Sequence, residues 1–208
     1  MAYDLEEQEQ LDEFKAWWKK NGSMATNLVL AALVAYAAWQ GYGYYQNTKA
    51  VEASALYQTL VVTDLTKTTE IKAESAKLME DFSGTPYAGR AAVFAAKANF
   101  AAQDSKSAKL QLEWATKNAK ESAIKAIASL QLASILYEEK SYDEANKVLA
   151  AITDKGYIGL KANMQGDVLL AQGKQAEAKK AYRAALEGLD AQGKMHQYTQ
   201  QKLDSLGV

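Results

Sequence analysis

The chain has 208 residues, with 24 lysines and arginines against 25 aspartates and glutamates, one histidine, one proline and no cysteine. The missing cysteine excludes disulfides, thiolate zinc sites, iron–sulfur clusters and a cysteine nucleophile, and a lone histidine excludes a His-rich metal site. The near-neutral balance argues against a nucleic-acid partner, and 39 alanines beside one proline favour an almost wholly helical protein.

Residues 1–23 form an N-terminal segment with six acids, Asp4, Glu6, Glu7, Glu9, Asp12 and Glu13, and three lysines, Lys15, Lys19 and Lys20. No charge then occurs over the 28 residues from Asn21 to Thr48. The apolar part, 24–45, is long enough as a helix to cross a hydrocarbon core of about 30 Å. Phe14, Trp17 and Trp18 precede it, and Trp39, Tyr42, Tyr44 and Tyr45 close it, an aromatic belt at each interface.

Two other readings compete with a membrane span. A buried core helix fits the alanines and Gly41/Gly43, but an uncharged run of this length is unusual for one. A cleaved signal peptide would use Ala35-Tyr36-Ala37, yet the segment before it is long and acidic where signal peptides begin short and basic. An uncleaved span is the expectation. Lys15, Lys19 and Lys20 before the span, against Lys49 just after it, place the N-terminus in the cytoplasm and export the C-terminal part.

Residues 46–86 read as two linking helices, near Lys49–Leu65 and Thr69–Phe82, ended by Phe82-Ser83-Gly84-Thr85-Pro86. Ala73, 35 residues before Ala108, marks them as a degenerate leading repeat.

Three units then share one pattern over 87–192: Ala96, Asn99, Ala108, Leu112, Ala115; Ala133, Leu136, Ala145, Leu149, Ile152; and Gly166, Leu169, Ala178, Tyr182, Ala185. Asn99 departs from the apolar pattern, with Phe100 beside it to take its role. Small residues at the first and third places let two antiparallel helices approach, while the larger ones fill the gaps. Turns fall at Gln103-Asp104-Ser105, Lys140-Ser141-Tyr142-Asp143 and Gln172-Gly173-Lys174, and Ser141 with Glu144 has the spacing of a capping box. Residues 193–208 supply a capping helix with Met195, Tyr198, Leu203 and Leu206 as its apolar positions.

The pattern resembles the tetratricopeptide repeat, whose period is about 34 residues. An alanine-rich antiparallel bundle is the alternative. The fold class read from the sequence is all-α: one N-terminal transmembrane helix followed by an α-solenoid of tetratricopeptide-like helix pairs.

The full layout resembles the YfgM family of Gram-negative bacteria. The stretch that carries the resemblance most specifically is Leu11-Asp12-Glu13-Phe14-Lys15-Ala16-Trp17-Trp18-Lys19-Lys20-Asn21-Gly22, directly before a single span. The resemblance implies an inner-membrane protein, cytoplasmic at its N-terminus and periplasmic beyond the span, ancillary to the SecYEG translocon. It further implies contact with the periplasmic chaperone PpiD and with newly exported polypeptides. The rival function on the same fold is an anchored scaffold for envelope assembly or cell division without translocon association.

No catalytic constellation emerges, and no cofactor, metal or small-molecule substrate is expected. Gly41-Tyr42-Gly43 is too short for a phosphate loop, and His196 stands alone in a polar tail. Binding is easier to place. In tetratricopeptide-like repeats, four first-helix positions line a concave groove. By register these are Arg90, Val93, Lys97 and Phe100; Ile127, Leu130, Ser134 and Tyr137; and Leu160, Asn163, Asp167 and Leu170.

Overall fold

The computed structural model describes the backbone of residues 2–207 and the side chains of residues 6–207. Asp4 of the acidic group lies outside the described side chains. The described residues form α1 (Ala2–Val62), α2 (Thr68–Asp81), α3 (Pro86–Ala101), α4 (Ser105–Asn118), α5 (Ser122–Glu138), α6 (Tyr142–Ala150), α7 (Ile158–Ala171), α8 (Gln175–Gly188) and α9 (Lys194–Ser205). A single 3-10 turn, Lys155–Tyr157, precedes α7, and no strand occurs among the described residues. The chain divides into two compact units, residues 1–48 and 49–208.

The first unit is the greater part of α1. Neither proline nor a helix-ending turn interrupts its sequence, so the helix runs through Gly41 and Gly43 without a break. Every residue from Leu28 to Tyr45 is exposed, Leu28 at 62% and Trp39 at 69%. That exposure contradicts a buried core helix. A helix apolar on all sides needs an apolar surround, and this one is long and apolar enough to cross a membrane. Thr26 donates its hydroxyl to the Gly22 carbonyl at 2.8 Å, which satisfies a polar side chain within the apolar stretch. Phe14, Trp17 and Trp18 gather with ring centroids 6.0–6.4 Å apart.

The second unit is built from antiparallel helix pairs, α3 with α4, α5 with α6 and α7 with α8, in which α3 also packs on α5 and α5 on α7. The buried faces of the second helices repeat as Ala108/Leu112/Ala115, Ala145/Leu149/Ile152 and Ala178/Tyr182/Ala185. The same spacing appears in α2 as Ile71, Ser75 and Leu78, all fully buried. Ile71 precedes Ala108 by 37 residues, as Ala108 precedes Ala145. The buried register of α2 thus runs through Ile71. Ala73, the residue expected to mark it, is exposed.

Asn99 itself fills the core place that the other units give to an apolar residue. It is 1% exposed and donates its amide to Gln111 Oε1 at 2.8 Å, while Phe100 turns outward at 41% exposure.

The three first helices end identically. Gln103, Lys140 and Gly173 each take a positive φ, between 61° and 78°. Around them, backbone N–H groups close back onto the helix: Asp104 to the Asn99 carbonyl, Ser141 to that of Leu136 and Lys174 to that of Leu169, at 2.8–2.9 Å. This geometry disposes of the expected capping box. The Ser141 N–H that Glu144 would accept is already donated to Leu136, and the Ser141 hydroxyl makes no capping bond. Asp104 caps α4 instead, accepting from the Ser107 N–H at 3.0 Å.

Lysines one place beyond the buried marker residues link neighbouring units. Lys72 reaches Asp104 and Lys109 reaches Glu139, both at 2.6 Å, and Lys179 donates to the Gly207 carbonyl at 2.7 Å. Each ties a second helix to the turn of the following unit.

The capping helix α9 also continues the register: Thr199 lies 33 residues after Gly166, as Gly166 lies 33 after Ala133. Thr199 and Leu203 are its buried residues, whereas Met195 and Tyr198 are exposed. The apolar face expected from the sequence is thus only half correct, because a polar threonine occupies its centre.

Candidate protein-binding groove

The faces of α3 and α5 left uncovered by second helices form two adjoining recesses of about 250 and 270 Å³. Ala96, Lys97, Phe100 and Ala101 of α3 shape the first, facing Gln131, Ser134 and Ile135 of α5, with Leu112 below. Small side chains at Ala96 and Ala101 leave the space that Phe100 borders. The second recess lies between Tyr57 near the end of α1, Val93, Phe94 and Arg90 of α3, and Ile124 of α5. Lys97 and Gln131 belong to both.

Of the four α3 positions expected from the sequence, all border one recess or the other. Arg90 is not free, since its guanidinium donates to both carboxylate oxygens of Glu121 at 2.6 and 2.7 Å. That fork holds the Glu121 carboxyl below its ordinary range. Lys97, Gln131 and Ser134 make no side-chain hydrogen bond among the described residues, so their polar groups stand open at an otherwise apolar surface.

The α5 positions divide. Ser134 lines the first recess, whereas Leu130 and Tyr137 pack partly buried against the core and Tyr137 lies 5.9 Å from the Tyr142 ring. Ile127 is half-buried and borders neither recess.

In α7, Leu160 is half-buried and Leu170 is exposed. Asn163 and Asp167 serve a different purpose from the one expected. Asn163, 6% exposed, accepts the Thr199 hydroxyl at 3.0 Å, and Asp167 accepts Lys202 Nζ at 2.8 Å on both oxygens. Asp167 also accepts the Tyr182 hydroxyl at 2.7 Å. Burial and this bond raise the Tyr182 pKa well above that of a free phenol. These two groove positions are therefore consumed in fastening α9, which stands where a further first helix would stand.

Tyr57, Phe94, Ile124 and Gln131 were missed by the sequence reading. A signal existed for three of them: Tyr57, Phe94 and Gln131 follow one another at intervals of 37 residues. Following the period back into the end of α1 finds them. Among the described residues no group of three or more His, Cys, Asp or Glu side chains is placed to hold a metal.

Comparison with known proteins agrees with this architecture. Residues 15–208 match the family model described as a tetratricopeptide repeat-like domain. The chain is similar to a protein of Neisseria gonorrhoeae, 36% identical over 99% of this chain and 100% of the relative. It is also similar to a protein of Haemophilus influenzae, 27% identical over 89% of this chain and 91% of the relative. A protein of Escherichia coli is 25% identical over 97% of both. All three relatives are named ancillary SecYEG translocon subunit.

Proposed function

This chain belongs to the YfgM family of ancillary SecYEG translocon subunits with a tetratricopeptide repeat-like domain, and on that premise we propose that it is a single-pass inner-membrane protein whose repeats hold protein partners beside the secretion channel. The observation that carries this reading is an end-to-end likeness, at 36% identity, to a relative of that name. The likeness takes in both the exposed apolar helix and the repeats.

The N-terminus faces the cytoplasm and the repeat domain the periplasm, a reading supported by three lysines before the span against one just after it. Through its groove the domain contacts a periplasmic chaperone of the PpiD kind and newly exported polypeptides, and so assists their passage. It works by contact and not as an enzyme. An aromatic anchor at Phe100 and open polar groups at Lys97 and Ser134 suit such contacts.

The test is crosslinking in cells followed by extraction in mild detergent. Copurification of translocon subunits together with a PpiD-like chaperone is the expected result. Clean purification without either would contradict the reading.

A further inference from the structure

We infer that the two recesses take a peptide segment in which two apolar side chains flank a single carboxylate; this rests on the reading of the groove as a protein-binding surface. Each recess is walled mainly by apolar groups, Phe100 and Ile135 in the first, Tyr57, Phe94 and Ile124 in the second. Each accepts one large apolar side chain. Where they meet stand Lys97 and Gln131.

Charge complementarity then selects the occupant. The neighbouring cation, Arg90, is already matched by Glu121 in a two-pronged bridge. Lys97 has no carboxylate within ion-pair distance among the described residues, so the junction carries one uncompensated positive charge. A segment lying across both recesses removes water from that ammonium. With a carboxylate at its centre the loss is compensated; with a neutral or basic residue there it is not. Gln131 and Ser134 add open hydrogen-bonding groups on the same side.

The test uses the full-length chain in a nonionic detergent and fluorescein-labelled peptides of equal length. Their centres read Phe-Asp-Leu, Phe-Asn-Leu or Phe-Lys-Leu, and binding is followed by fluorescence anisotropy. The Asp peptide should bind about fivefold more tightly than the Asn peptide, the upper end for an exposed ion pair. Lys97→Gln should erase that preference, weakening the Asp peptide and tightening the Asn peptide, which then strips water from no unmatched ammonium. Lys97 is exposed, so an unchanged thermal melt is expected to show that the variant folds normally.

Equal affinity for the Asp and Asn peptides, or a preference that survives Lys97→Gln, overturns the carboxylate assignment while leaving the groove reading intact. Failure of all three peptides to bind overturns both. Displacement of the Asp peptide by lower concentrations of laurate than of unlabelled peptide assigns the site to alkyl carboxylates and overturns the peptide assignment.

Discussion

Gly166 lies directly against the ring of Tyr182, so close that a methyl group on Gly166 would stand 2.6 Å from the ring carbon Cδ1. In the two preceding units the same places hold Ala96 with Leu112 and Ala133 with Leu149. A larger residue on the second helix is met by a smaller one on the first. The repeats conserve combined volume at this contact, not residue identity, as expected where interiors are close-packed.

Gly166→Ala should therefore destabilise the domain by about 1–3 kcal/mol through overpacking. Tyr182→Leu in the same chain, which reproduces the pairing of the other units, should recover part of that loss. Denaturation of the four chains of the double-mutant cycle measures the coupling. Strict additivity of the two substitutions would contradict the volume exchange.

The left-handed turn residues give a second prediction. Gln103 and Lys140 hold positive φ, where a side chain costs about 1–2 kcal/mol that glycine avoids. Gln103→Gly and Lys140→Gly should each stabilise the domain by about 0.5–1 kcal/mol, after the greater freedom of glycine in the unfolded chain is deducted. Gly173→Ala, at φ 78°, should destabilise it by about 1 kcal/mol. Thermal melts of the three variants read these signs directly.

Such positions explain what the sequence made legible. The helix pairs, their turns and the apolar span follow from composition and spacing, because each is a local pattern. Ala73 misled because it is an alanine at nearly the right distance, while the true marker, Ile71, lacks the small side chain of its counterparts. Asn163 and Asp167 misled for another reason. Groove positions in one unit become interface positions when the next helix carries matching polar groups, and Thr199 and Lys202 are distant in the chain. The capping box at Ser141 failed because the neighbouring left-handed residue, Lys140, turns the Ser141 N–H back onto the Leu136 carbonyl.

Acid should loosen the ladder that joins the units. Hydrogen bonds from Lys72 and from Ser107 hold the Asp104 carboxyl below its ordinary pKa, so the folded state releases this proton more readily than the unfolded one. Its contribution is therefore complete above about pH 4, the ordinary carboxylate value, and is lost as the pH falls below it. Asp104→Asn should flatten the fall in melting temperature between about pH 4 and pH 2 relative to the parent chain. An unchanged slope would contradict a role for this carboxylate.

The fastening of α9 should depend on Asp167, which joins Lys202 and Tyr182 across three helices. Asp167→Ala leaves both partners short of an acceptor and should cost about 1–3 kcal/mol. Hydrogen exchange should show the loss in α9 first, with α3 to α6 retaining their protection. Uniform loss across the domain would contradict a local lock.

Protein contact at the groove is tested most directly by a photoreactive amino acid in place of Phe100, in the full-length chain in its native membrane. Phe100 borders the first recess, whereas Leu110, 60% exposed on α4, borders neither and serves as the control position. Light-dependent adducts with translocon subunits, a PpiD-like chaperone or exported polypeptides are expected from position 100 and not from position 110. No adduct from position 100, or the same adducts from both positions, would contradict a protein-binding groove at the secretion channel.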